Sequence, residues 1–328
     1  MTDRRTFIGA LAGGLLGAPL AAGAQQEEKV WRIGFVEGGS ASVNRHFLHA
    51  FRLGMREHGY VEGKDVNIEA RWAEGRAERF HDLVAELIRL QLDVLVTVST
   101  PAIRAAKEQT DTIPIVFIAV DPLGTGLVSN LARPGRNVTG LSLTLGEELA
   151  GKWPELLTQV LPRLSRLAVL WNPSNPSNVS FLKAVQDAAH NLGLKLQRQS
   201  IEEPNQLDGA FAAMSAAHAQ ALIVFPAPLT LNFRTRFVDL AVKSRLPAVY
   251  GFREFADVGG LMAYGTNVAA LCRRAAVYVD KILKGVRPGD LPIEQATQFE
   301  FVINLRTVKA LGLTIPPALL QRADQVIE

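Results

Sequence analysis

Residues 93–137 read DVLVTVSTPAIRAAKEQTDTIPIVFIAVDPLGTGLVSNLARPGRN, and this stretch decides the fold. It holds two short apolar runs, residues 93–98 and 113–120, rich in Val and Ile and bounded by breakers. Such runs suit strands buried on both faces of a parallel sheet. Between them Ser99-Thr100-Pro101 starts a helix. Thr100 has the side chain of an N-cap, and Pro101 suits the first helical position, where its missing N–H has no partner to lose. The stretch is therefore a β-α-β unit with polar residues directly after its strands: Ser99 and Thr100 after the first, Asp121 after the second. Ligands of open α/β sheets bind outside the carboxyl ends of strands, so these residues are the first candidates for a site. Asp121 can accept a charge-assisted hydrogen bond from a ligand ammonium. Turn formation by Asp121-Pro122 is the alternative.

Outward from this unit, the same alternation runs through the chain twice. Upstream, residues 31–36 form a strand that ends in the small polar loop Glu37-Gly38-Gly39-Ser40. A helix follows, with Phe47, Phe51 and Met55 on one face and Gly59 at its end. Residues 66–70 are a second strand, and Phe80, Leu83, Val84, Leu87 and Ile88 mark a second helix. The pattern restarts at Arg166, with a strand at 167–171, the loop Asn172-Pro173-Ser174-Asn175, and a helix ending at Gly193. Then come a strand (194–201), a helix (206–217), a strand (221–225), a helix (232–244) and a strand (247–252). Gly59 corresponds to Gly193, and Ile113-Pro114 to Leu246-Pro247, at one offset of about 134 residues. That self-similarity argues two copies of one supersecondary unit. Each copy is expected to be a parallel sheet covered by helices on both faces.

The segments STPAIRAAK, IPIVFIAVDPLGTGLV and LARPGRNVTGLS, with GGLMAYG, YVDKILKGVRPGDLPIEQ and FVINLRTVKALGLTIPPALLQRADQVIE near the C-terminus, resemble the signature stretches of ABC-transporter substrate-binding proteins of the tryptophan/tyrosine uptake type. The resemblance covers essentially the whole chain after its leader. It implies an α/β, two-lobed type I periplasmic binding protein fold whose chain crosses between the lobes three times. The implied lobe 1 is 30–140 plus 262–296, and lobe 2 is 146–260 plus 300–328. The hinge is expected near 140–146, 260–265 and 297–300. It also implies capture of a small organic solute, of amino-acid, aromatic or carboxylate type, and its delivery to a membrane permease with an ATPase subunit. Amino-acid binders of this family tend to carry acidic or amide residues in the second-lobe loop after the middle strand. Here that loop reads Pro226-Ala227-Pro228-Leu229-Thr230, which removes an ammonium partner.

Composition narrows the field. The net charge is +3 over 328 residues, with no Lys/Arg run longer than two, so nothing points to nucleic acid. Residues 1–24 read as a cleaved export signal: Arg4-Arg5, an apolar core at 7–20, then Ala22-Gly23-Ala24. The core is short for a membrane span, and no later segment is longer. RRTFIG resembles a twin-arginine signal, with Asp3 and Gly9 departing from its usual pattern; the general secretory route is the alternative. No Cys stands at the cleavage site, so no lipid anchor is expected, and the mature chain is expected in the periplasm. The single cysteine, Cys272, reads as a helix-face hydrophobe.

No P-loop, HExxH or G-x-S-x-G signature is present, and the six histidines are scattered. Neither metal nor cofactor is called for. The site candidates are residues after strands. In lobe one they are Gly38, Gly39, Ser40, Ser99, Thr100 and Asp121. In lobe two they are Asn172, Ser174, Asn175, Pro226, Ala227, Tyr250, Phe252 and Glu254, with Tyr264 at the second crossing. The bland alternative for each is a helix cap or turn. The rival functions are an exported isomerase-like enzyme using Asp121 and Glu254, and a ligand-sensing domain. Fold alone does not separate these from a solute-binding protein. The leader reading makes a direct prediction. N-terminal sequencing of periplasmic material should begin near Gln25, whereas an intact Met1 start in a membrane fraction would refute it.

Overall fold

Every second residue of β1 (Trp31–Glu37) faces a different layer. Ile33 and Phe35 join one apolar cluster with Phe47, Phe51 and Met55, while Val36 joins a second with Phe80, Leu83 and Leu87. A strand buried on both faces in this way belongs to the middle of a three-layer α/β structure. The computed structural model describes residues 29–143, 147–297 and 299–328. The expected leader, 1–24, lies outside them, as do parts of the expected hinge at 144–146 and 298.

The first half continues with α1 (Ala41–Glu57), β2 (Val66–Trp72), α2 (Arg79–Arg89), β3 (Val94–Val98), α3 (Thr100–Gln109), β4 (Ile115–Ala119) and β5 (Val138–Ser142). After α4 (Glu147–Val160) come β6 (Arg166–Trp171), α5 (Pro176–Asn191), β7 (Lys195–Ser200), α6 (Leu207–Ala216), β8 (Ala221–Val224), α7 (Pro228–Asn232), α8 (Arg234–Lys243), β9 (Ala248–Tyr250), α9 (Arg253–Asp257) and β10 (Met262–Gly265). The chain ends with α10 (Val268–Leu283), β11 (Glu294–Gln295), β12 (Glu300–Asn304), α11 (Leu305–Leu311), α12 (Pro317–Gln321) and β13 (Gln325–Ile327).

The strands form two sheets, β11-β5-β4-β3-β1-β2 and β13-β12-β10-β9-β8-β6-β7. Read from the edge, β2-β1-β3-β4-β5 and β7-β6-β8-β9-β10 have the same order, and every pairing within each run is parallel. The internal repeat read from the glycines is thus a repeat of topology. Gly59 and Gly193 both follow a helix with positive φ, +88° and +69°, a conformation that costs glycine little.

One expectation needs correction. The resemblance implies that the strand at 262–265 belongs to lobe 1, but β10 pairs with β9 and β12 in the second sheet. The chain returns to the first half only afterwards, when α10 packs on α1, β4 and β5. The helix expected over 232–244 is α8, and the short α7 precedes it, the two meeting at Phe233, where φ is −104° and ψ is 20°. The passages between halves run from β5 to α4, from β10 to α10, and from β11 to β12. Cys272 is buried on α10 in the same cluster as Phe51, and burial pushes its thiol pKa well up, as suits a packing residue.

Gly140 sits in β5 opposite Phe117 of β4, with φ +154°. A Cβ there would lie 2.1 Å from the Phe117 carbonyl oxygen, a backbone atom that cannot swing aside. Gly140→Ala should therefore destabilise the protein by more than about 3 kcal/mol, read as a lower midpoint in chemical denaturation.

Candidate functional site

In both sheets the strand order reverses direction at one point, between β1 and β3 and between β6 and β8. That is where an open α/β sheet leaves a crevice at its carboxyl edge. Here the two crevices face each other. The loop after β3 and the start of α5 touch: the Thr100 and Ser177 hydroxyls are 2.7 Å apart, both side chains buried. Gly38 packs so closely on Pro228 that a Cβ would come within 2.5 Å of the proline ring.

Around this contact lies a space of about 50 Å³, lined from both halves. Phe47, Val98, Val120, Leu143, Leu231, Phe252 and Val268 make its walls largely apolar. Its polar groups are Glu37, Ser99, Thr100, Asn175 and Ser177. Ser99, rather than Thr100, is the N-cap of α3. Its Oγ accepts the Ala102 N–H at 3.4 Å, and its backbone takes φ +122°. A non-glycine residue held there costs of order 1–3 kcal/mol, and such strain clusters at ligand sites. Thr100 is thereby left with its hydroxyl free to reach Ser177. Asn175 caps α5 by accepting the Ser177 N–H at 3.2 Å, and its Nδ2 donates to the Pro226 carbonyl at 3.3 Å. Asn178 Nδ2 donates to the same carbonyl at 2.8 Å, which fixes the Pro226-Ala227 turn against α5.

Glu37 is the acid of this cavity. It is 3% exposed, and both oxygens accept: Oε2 from the Gly39 N–H at 2.7 Å, Oε1 from Asn44 Nδ2 at 3.1 Å. Burial outweighs these donors and raises its pKa to about 7. Asn44 lies in α1 with non-helical backbone angles, φ −119° and ψ 15°. A Cβ on Gly39 would come 2.1 Å from its Nδ2, so the glycine leaves room for it.

Outside the cavity the halves are joined by polar contacts. Arg234 of α8 donates to Asn44 Oδ1 at 3.1 Å and to the Val43 carbonyl at 3.0 Å. His46 Nε2 lies 3.1 Å from Glu254 Oε1.

Of the candidates read from sequence, Ser99, Thr100, Asn175, Pro226, Ala227 and Phe252 line the cavity. Gly38 and Gly39 shape the turn beside it, while Ser40 faces outward and bonds Ser42 at 3.1 Å. Asn172 and Ser174 line a different cleft, where the Ser174 hydroxyl donates to Glu202 at 2.8 Å. Tyr250 is in the core, stacked on Phe255 at 4.5 Å. The Tyr264 ring packs against Phe299 and Phe301, each 5.9 Å away. Asp121 is occupied by its own turn. Its carboxylate accepts the Gly124 N–H at 2.9 Å, and its carbonyl accepts the Thr125 hydroxyl at 2.7 Å. Neither Asp121 nor Glu254 lines the cavity, so the acid–base pair of the enzyme reading does not meet there. Sequence reasoning passed over Glu37, Phe47 and Ser177. The signal for Glu37 is its place at the end of β1, directly before the candidates Gly38 and Gly39.

Two parallel-sheet lobes with a cavity at their facing carboxyl edges are the architecture of a two-lobed binding protein. Residues 33–327 match the family described as ABC transporter substrate binding protein, and the chain belongs to it. Its role is that of the solute-binding component of an ABC transporter. A curated relative, the tyrosine-binding protein of Clostridioides difficile strain R20291, is 24% identical over 264 residues, 80% of this chain and 75% of its own. Among solved structures, a conserved domain protein of Vibrio cholerae is 27% identical with TM-score 0.84, over 91% of this chain and all of that one. A Streptococcus pneumoniae ABC domain in complex with L-Trp is 24% identical with TM-score 0.84, over the same shares. The ligand-free, open structure of a C. difficile substrate-binding protein is 22% identical with TM-score 0.65, over 91% of this chain and 99% of that one.

The turn role of Asp121 is testable. Asp121→Ala should lower stability by about 1–2 kcal/mol, the scale of a lost hydrogen bond with added backbone strain. The affinity for a bound solute should change less than about twofold, well below the effect of losing a charged contact; denaturation and calorimetry measure the two.

Proposed function

We propose that the chain captures an amino acid or related small carboxylate with an apolar body in the cavity between its lobes. It then presents that solute to a permease and ATPase at the periplasmic face of the membrane. The observation that carries this is the Thr100–Ser177 contact, where polar helix starts from both lobes meet inside apolar walls. A ligand carboxylate there would accept from both hydroxyls. The starts of α3 and α5 point partial positive charge at the same place. Phe47, Leu231 and Phe252 offer surface for an apolar side chain. Relatives described as binding tyrosine and as complexed with L-Trp support the same solute class.

The cavity of about 50 Å³ is far smaller than the roughly 300 Å³ at which ligand pockets begin. Solute entry therefore requires the lobes to part. The hinge of this reading lies in the three passages between sheets, from β5 to α4, from β10 to α10 and from β11 to β12. Rotation there breaks the Thr100–Ser177, Arg234–Asn44 and His46–Glu254 contacts and leaves each sheet intact. Among the described residues no helix is long and apolar enough to cross a membrane, and the family role needs none.

The test is calorimetry on the mature protein with L-tyrosine, L-tryptophan, L-phenylalanine, L-leucine and their desamino acids. At least one should bind, and Thr100→Val and Ser177→Ala should each weaken it about ten- to a hundred-fold, the scale of a hydrogen bond to a charged group. Binding of none, or binding indifferent to both substitutions, would refute the reading.

A further inference from the structure

We infer that Glu37 selects the solute: its carboxylate receives a ligand ammonium, so the site takes amines and rejects their desamino counterparts. This rests on the cavity being the solute site. Both hydrogen-bond partners of the Glu37 carboxylate, the Gly39 N–H and Asn44 Nδ2, donate to it, as suits a carboxylate. A carboxylate offers about four lone-pair positions, more than these two groups occupy. Yet among the described residues no cation is paired with it. Arg234 feels its charge but stops one residue short and bonds the far side of the Asn44 amide. The protein thus orients an acceptor for charge at a cavity wall and brings no cation into contact with it. A buried carboxylate without a partner is costly, and a ligand ammonium removes that cost in a way no neutral ligand can. Thr100 and Ser177, the hydroxyls available to the carboxylate end, line the same cavity. One zwitterion could therefore satisfy both ends of it.

The pKa of about 7 for Glu37 makes this readable by calorimetry. The groups that act on it are the Gly38 and Gly39 amides and Asn44 from lobe one, and Glu254 and Arg234 from lobe two. Cys272 of α10 is near enough to sense its charge. A ligand ammonium favours the ionised form, lowers this pKa, and so releases protons on binding. Near pH 7 a fraction of a proton should leave per ligand, since burial without a cation keeps part of Glu37 protonated. The experiment titrates the mature protein with L-tyrosine and L-leucine and with their desamino acids, in two buffers of different ionisation heat. Glu37→Gln, which keeps the shape and an acceptor oxygen, is titrated alongside, and Glu37→Asp serves if that variant does not fold.

The expected result is a preference for the amine of at least about tenfold in the natural protein, with proton release. Glu37→Gln should lose both while still binding; Glu37→Asp should keep the sign of both with a smaller preference. Binding of amine and desamino acid alike, or a preference that survives Glu37→Gln with no proton release in the natural protein, would overturn this inference and leave the solute-binding reading standing. No binding by the natural protein of any of these four, nor of L-tryptophan, L-phenylalanine or their desamino acids, would overturn both.

Discussion

The constraint on which the rest depends is that two parallel sheets present their carboxyl edges to each other. A parallel sheet sends every strand out at the same edge, so every loop that follows a strand gathers there. Repeating the unit and turning the copies face to face brings two such sets of loops together. Thr100 and Ser177, 2.7 Å apart, mark where they meet. The polar character of the seam then follows from helix capping. Ser99, Asn175 and Asn304 are all placed by the need to satisfy a helix start, and two of these three stand at the cavity. The walls are apolar because the strands that end there are core strands, and Val98 and Val120 continue the core to the rim.

Burial at this seam separates residues that hold the lobes together from those that face the solute. His46–Glu254 and the Arg234 contacts lie around the cavity and are partly open to water, where a single ion pair or hydrogen bond contributes little net stability. Such contacts can be made and broken in a rotation between lobes without a large cost in either direction. The interior of each lobe is different. Trp153, Phe181 and Phe225 form a buried aromatic cluster in the second lobe, with ring centroids 5.5–5.8 Å apart, and Trp153 Nε1 donates to the Tyr264 carbonyl at 2.9 Å. Tyr264 thus ties the end of β10 to α4, beside the passage into α10. Firm lobes joined by a weak seam are what a protein that must open and close requires.

The β-α-β unit at 93–137 was legible because strands buried on both faces leave unmistakable apolar runs. The partner of a strand is not written in the strand. MAYG carries the same apolar signal in either sheet, and only pairing with β9 and β12 assigns it to the second lobe. The site was half legible for a similar reason. Sequence marks the residues after strands but not which way they turn. Thr100 reads as the cap in sequence, but Ser99, at φ +122°, turns its own Oγ onto the Ala102 N–H. Asp121 looked like the ligand acid because it follows a strand, yet its left-handed backbone, φ +40°, folds the carboxylate back onto Gly124. In sequence Glu37 is only the first residue of a polar loop. Its importance comes from burial by α1 and by the opposite lobe, a tertiary fact that no local pattern carries.

Small-angle scattering of the mature protein, alone and saturated with a solute identified by calorimetry, tests the central claim most directly: that the solute enters between parted lobes and is enclosed when they meet. A ligand held by both lobes binds the closed arrangement better and must shift the population toward it. The account predicts a smaller radius of gyration at saturation, with no change in molecular mass. An identical radius with and without a tightly bound solute would contradict closure and would mean a pocket that forms without movement of the lobes.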